Sequence, residues 1–88
     1  IWTANADGSG QIALTNTTEN NQSAAWRPDG QKIIFSRCSG GRCDLHTMNP
    51  DGSAVEPISQ ANTTGDEDEG KFTPNGQKIV FKCSDANG

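Results

Sequence analysis

The residues able to do chemistry in this chain are few, and they lie far apart. Three cysteines stand at positions 38, 43 and 83 beside a single histidine, His46. Cys38 and Cys43 bracket Ser39-Gly40-Gly41-Arg42, a spacing that can close a tight hairpin with a disulfide if the strand register allows. Cys83 is then left over, either free or bonded to another chain. Zinc needs four ligands at finger-like spacing, which one histidine and three scattered cysteines do not supply, so a disulfide is favoured over a metal. The run Asp66-Glu67-Asp68-Glu69 offers hard oxygen ligands to calcium. It lacks the D-x-D-x-D-G spacing of a dedicated loop, so a solvated loop between strands is the favoured reading, and no cofactor is implied. Sequons at Asn16, Asn21 and Asn62 permit N-glycosylation in a secreted setting, although such triplets also arise by chance in an Asn- and Thr-rich chain. Together with the cysteines they favour an extracytoplasmic location: secreted, cell-surface or periplasmic.

The elements that must hold these residues are announced by an internal repeat. Trp26–Phe35 reads W-R-P-D-G-Q-K-I-I-F, and Phe72–Phe81 reads F-T-P-N-G-Q-K-I-V-F; six of ten positions are identical at an offset of 46 residues. Ile1–Ser9 returns as Leu45–Ser53, matching at five of nine positions at an offset of 44. Self-similarity at such a period marks a solenoid, propeller or array. Leu, Ile, Val and Phe make up 13 of 88 residues, about 15 per cent against the ~20 per cent of self-sufficient chains. With a net charge of only −4 and apolar residues in regular short runs, the composition fits a repeat that completes its core against copies of itself rather than a disordered chain.

Read in order, the chain is all-β. Ile1–Asn5 alternates as a half-buried strand, Asp7-Gly8 turns it, and Gln11–Thr15 returns. Asn16–Gln22 reads as a loop, Ser23–Arg27 as a strand, and Pro28-Asp29-Gly30 as a turn. Ile33-Ile34-Phe35 forms a strand buried on both faces. Ser39-Gly40-Gly41 turns the chain into a strand at Asp44–Asn49, and Pro50-Asp51-Gly52 turns it back along Ala54–Ser59. Gln60–Gly70 reads as a polar loop containing the acidic run. A strand at Lys71–Thr73, the turn Pro74-Asn75-Gly76, a strand at Lys78–Lys82 and a polar tail from Cys83 complete the chain.

These residues resemble the TolB-like (WD-repeat-like) β-propeller repeat, with an aromatic before Ser-Pro-Asp-Gly, then Lys and an apolar triplet, and a later Asn-Ala-Asp-Gly-Ser turn leading to Leu-Thr. The features stand here as Trp26-Arg27-Pro28-Asp29-Gly30-Gln31-Lys32, Asn5-Ala6-Asp7-Gly8-Ser9 and Leu14-Thr15. The second copy departs from the pattern at Phe72, Asn75 and Pro57-Ile58-Ser59, and carries a two-residue insertion with the acidic run. The resemblance implies four-stranded antiparallel blades, two blades' worth per chain as half, whole and half. Residues 1–22 would hold the outer two strands of one blade plus a loop. Residues 23–59 would form a complete blade, and residues 60–88 the acidic loop and the first half of the next. Trp2, Trp26, Phe35, Phe72 and Phe81 are then expected to pack blades or support assembly.

Two blades cannot close a ring, which needs about 4–8, and half-blades leave strand edges open to another chain. The expected partners are therefore copies of itself, completing blades head to tail as a ring or an extracellular fibre, with other proteins as further partners. The alternative is an excerpt of a longer secreted or periplasmic propeller that binds protein partners, consistent with a chain that opens without Met or a signal peptide. A glycan- or calcium-binding module is the other non-catalytic class. No catalytic constellation is present: His46 takes the repeat position of Trp2, and no G-x-S-x-G elbow occurs, so an enzyme is not expected. The acidic balance argues against a nucleic-acid surface, and no apolar run approaches the ~20 residues of a membrane span.

Overall fold

The computed structural model of the chain describes residues 1–15, 20–39, 42–58 and 66–84. Within them the protein is all-β, with eight strands in three antiparallel sheets. The first sheet pairs β1 (Trp2–Thr3) with β2 (Ile12–Ala13). The second runs in order through β3 (Asn20–Trp26), β4 (Ile33–Ser39), β5 (Arg42–Met48) and β6 (Glu56–Pro57). The third pairs β7 (Asp66–Phe72) with β8 (Ile79–Ser84).

The turns show why the repeat reads as it does. After β1, Asn5 N–H donates to the Ser9 carbonyl and Gly8 N–H to the Asn5 carbonyl, both at 2.8 Å. Asp7 Oδ1 accepts from Ser9 N–H at 2.9 Å. The same bonds recur after β5, where Asn49, Asp51, Gly52 and Ser53 replace them one for one. The two Pro-Asp/Asn-Gly hairpins are likewise copies. Gln31 N–H donates to Asp29 Oδ1 at 2.9 Å, and Gln77 N–H donates to Asn75 Oδ1 at 3.0 Å. An aspartate-to-asparagine change is tolerated at this position because the turn uses only the side-chain oxygen as an acceptor.

These bonds also set the acidities. Asp7 and Asp51 are held below the ordinary carboxylate range by the hydroxyl and then the N–H of Ser9 and Ser53. Asp29 is lowered first by the Arg27 guanidinium, 2.8 Å away, and then by Gln31 N–H.

β4 carries the core. Ile33, Ile34, Phe35 and Ser36 are all buried, so both faces of this strand are covered, as its apolar triplet requires. Ile33, Phe35 and Met48 form one cluster, against which Ile1 and Leu14, flanking the strands of the first sheet, and Val55 pack. Ile34, Ser36 and Leu45 meet the third sheet. Gly70 on β7 lies so close that an added Cβ would stand 3.0 Å from both Ile34 Cδ1 and Leu45 Cδ2.

The acidic run departs from its sequence reading. Asp66–Glu69 is not a solvated loop: it lies in β7 and pairs with β8, Glu67 opposite Cys83 and Asp68 opposite Lys82. Glu67 is 2% exposed. Its Oε1 accepts from Leu45 N–H and its carbonyl from Ser36 Oγ, each at 3.2 Å. Strand pairing plus satisfaction of a buried carboxylate outweighs the low β-propensity of Asp and Glu.

Other boundaries also move, and the strand read over Ala54–Ser59 shortens to Glu56–Pro57, with positive φ at Ala54. Asn20–Gln22, read as loop, begin β3 by pairing with Cys38, Arg37 and Ser36. Cys83, read as tail, lies in β8. The return strand read over Gln11–Thr15 shortens to Ile12–Ala13, extended by Leu14 N–H donating to the Ile1 carbonyl and by the Ile1 amino group donating to Thr15 Oγ1, both at 2.8 Å. β3 and β7 share one irregularity, a register shift with positive φ at Ser23 (57°) and at Glu69 (54°), the signature of a repeated β-bulge.

Three outcomes test this packing. Gly8 and Gly52 have the same φ of +89°, but a Cβ at Gly8 meets open space while one at Gly52 meets the Leu14 carbonyl oxygen at 2.8 Å. Gly8→Ala should therefore cost the left-handed strain alone, about 1–2 kcal/mol. Gly52→Ala should cost more in urea unfolding and loosen the first sheet; equal losses would count against the docking of that sheet. Glu67→Ala should destabilise by about 1–3 kcal/mol through the orphaned Leu45 N–H, and Glu67→Gln, which keeps an acceptor, by less. Finally, carboxylates with depressed folded values stabilise above their unfolded value and lose that contribution as pH falls through the folded one. Unfolding free energy should thus drop below about pH 4. Asp29→Asn should preserve the turn and remove part of that acid slope; an unchanged slope would show the pairing to be inert.

Candidate interaction surface

Cys38 and Cys43 are directly opposite in the β4–β5 ladder and are joined by a disulfide, with Cα atoms 4.0 Å apart. The bond staples the end of the hairpin; Gly40 and Gly41 lie outside the described residues, as do Asn16 and Asn62. Asn21 sits half-buried on β3, and its Oδ1 accepts from Arg37 Nε at 2.9 Å. Arg37 in turn lies over the Phe35 ring, 5.5 Å from its centroid, and the His46 ring packs on Phe35 at 5.8 Å. His46 Nδ1–H donates to the Asp44 carbonyl at 3.1 Å. This histidine is engaged in packing and a local hydrogen bond. Among the described residues, no group of three His, Cys, Asp or Glu side chains is arranged to hold a metal ion. No helix there is long and apolar enough to cross a membrane.

The aromatic residues separate into two kinds. Phe35 is fully buried, and Phe72 and Phe81 are half-buried. Trp2 and Trp26 are 67% and 53% exposed, and Val80 is 66% exposed. Val80 contrasts with Ile34, its repeat equivalent on β4, which is fully covered. The difference is one of neighbours: β4 lies between two sheets, and β8 has only β7 beside it.

The exposed tryptophans border one concavity. A groove of about 150 Å³ is lined by Ile1, Trp2, Thr3, Ala24, Trp26 and Ile33, running between β1 and the β3 strand of the central sheet. β1 pairs only with β2, so its other edge is open among the described residues, as is that of β8. Open edges beside apolar side chains are templates for strand addition. A second concavity, about 560 Å³, lies between the tips of the two Pro-Asp/Asn-Gly hairpins, from Arg27 and Asp29 to Asn75 and Gln77. Its wall carries the Arg27–Asp29 ion pair and is polar and open.

One bond within the central sheet was not legible from residue types alone. Lys32 Nζ donates to Asn49 Oδ1 at 2.8 Å, tying the start of β4 to the end of β5. The repeat could have exposed it, because Lys32 recurs as Lys78 and Asn49 as Asn5.

No protein-family model matches the chain. Over 45 residues, 51% of this chain and 7% of the relative, it is 40% identical to dipeptidyl-peptidase 5 of Porphyromonas gingivalis. Over 60 residues, 68% of this chain and 9% of the relative, it is 32% identical to dipeptidyl-peptidase 5 of Porphyromonas endodontalis. The chain thus spans less than a tenth of the length of these curated relatives.

Proposed function

We propose that the chain is a non-catalytic interaction scaffold of the TolB-like propeller type. In this reading the four-stranded sheet is one whole blade, the β1–β2 sheet the outer half of another, and the β7–β8 sheet the inner half of a third. Copies complete one another head to tail, β7–β8 of one supplying the strands that β1–β2 of the next lacks. The observation that carries the reading is the pair of open edges, β1 and β8, each beside exposed apolar side chains. The contact is heterologous, so it yields a closed ring of two to four copies or an open fibre according to the rotation per step. The disulfide between Cys38 and Cys43 fits an oxidising, extracytoplasmic setting for such a scaffold. Calcium binding draws less support, since Glu67 of the acidic run is buried and accepts from Leu45 N–H.

A second reading rests on the local likeness to dipeptidyl-peptidase 5. The resembling repeat also occurs as a non-catalytic propeller attached to peptidases, and there the half-sheets would be completed by further repeats of one longer chain. Native mass separates the two readings. Light scattering with negative-stain images should show discrete particles of two to four chains, or fibres. Val80→Lys should shift the mass to monomer with an unchanged β-sheet circular dichroism spectrum, because it adds a charge at an open edge and disturbs no buried contact. A monomeric wild-type chain would favour the second reading, and assembly unaffected by Val80→Lys would reject the edge as the contact.

A further inference from the structure

Within one chain, the β4–β5 pair is the repeat equivalent of a β8 strand added to β1. We infer that β8 of one copy pairs with β1 of the next in a single register, fixed by three contacts, two copied from the β4–β5 pair and one from the packing of β4 on β7; the inference rests on the head-to-tail reading above. In β4–β5, Ile33 lies opposite Met48, Ile34 opposite Thr47, Phe35 opposite His46 and Ser36 opposite Leu45. Carried over by the two repeat offsets, Ile79 of one copy lies opposite Ala4 of the next, Val80 opposite Thr3, Phe81 opposite Trp2 and Lys82 opposite Ile1.

Each contact has its two halves waiting in the chain. Lys78 Nζ and Asn5 Oδ1 have no hydrogen-bond partner among the described residues, while their equivalents Lys32 Nζ and Asn49 Oδ1 bond each other at 2.8 Å. Phe81 and the exposed Trp2 stand in the places of Phe35 and His46, whose rings pack at 5.8 Å. Val80 enters the groove beside Thr3 and Ala24, as Ile34 meets Gly70. A slip of one residue would turn Val80 and Phe81 to the wrong faces. A slip of two would leave the lysine and asparagine apart.

The Cys38–Cys43 pair, with its 4.0 Å Cα separation, belongs to the closely spaced, non-hydrogen-bonded class. Counting four positions back along the ladder, Ile34 opposite Thr47 belongs to the same class, and so does Val80 opposite Thr3. That is the class within reach of a disulfide. The test mixes a Thr3→Cys chain with a Val80→Cys chain, both carrying Cys83→Ser. The mixture is oxidised with oxidised glutathione and read on non-reducing gels with peptide mass mapping. A parallel mixture uses Thr3→Cys with Lys82→Cys, the pair that a two-residue slip would bring together.

The expected result is assembled particles in which the Thr3–Val80 cross-link forms at least several-fold more than the Thr3–Lys82 one. Assembled particles that cross-link preferentially through position 82, or through neither, would overturn the register while leaving head-to-tail assembly standing. Chains that remain monomeric by light scattering, wild type included, would overturn the assembly reading and the register with it.

Discussion

A strand whose consecutive side chains are all apolar needs a neighbour on each face, and β4 sets that demand for the whole molecule. Ile33 and Phe35 turn toward Ile1 and Leu14, and Ile34 turns toward Gly70. The two flanking sheets are small, one of four paired residues and one of two longer strands, and isolated two-stranded units are marginal in water. They persist because each covers one face of the central sheet. Stability is therefore concentrated in a three-layer stack whose middle layer is closed and whose outer layers are not, as the exposure of Val80 against the burial of Ile34 records. A chain this small has little apolar surface to bury, and it spends nearly all of it on one sheet.

Polar groups decide how the third layer sits on the second. Glu67 reaches across to the Leu45 N–H while its own carbonyl takes the Ser36 hydroxyl. A buried carboxylate is tolerated only where it is hydrogen-bonded, and these two bonds hold only at one offset between β7 and the central sheet. Close approach at Gly70 adds a steric requirement at the same interface. Apolar contact alone would permit the layers to slide; the Glu67 bonds give the stack a fixed position. The bulges at Ser23 and Glu69 shift the register of β3 and β7 at equivalent places in the repeat.

Much of this was legible in the sequence, for identifiable reasons. Asp-Gly and Asn-Gly turns declare themselves because few residues accept positive φ, and the structure repeats their bonds at Asp7 and Asp51 and at Asp29 and Asn75. The buried triplet of β4 follows from its composition, and the Cys38–Cys43 bond from a spacing that the β4–β5 register makes directly opposite. The acidic strand was not legible. Its residues are poor strand formers, and what places them in β7 is pairing with β8 and the Glu67 bonds, both long-range. Nor could residue type foretell that Trp2 and Trp26 would be exposed. An aromatic at a repeat position says which surface it belongs to, and says nothing of whether that surface is covered.

The departures between the two repeat copies carry information of their own. Where the central sheet meets the third, Ile34 faces Gly70, a large side chain against none. The equivalents in the other copy are Val80 and Ala24: the first residue has lost a methylene, and the second has gained a methyl. Opposed changes of this kind conserve volume across a contact, and volume-conserving exchanges are the ones a packed interface tolerates. Val80 and Ala24 of the same chain cannot serve one another, since Val80 stands on the third sheet with its side chain exposed and Ala24 lines the groove beside β1. On the head-to-tail proposal, a strand like β8 entering that groove would bring a valine to meet the alanine. Within the chain, one of the two equivalent contacts is made, Ile34 on Gly70, and the other pair, Val80 and Ala24, stays apart.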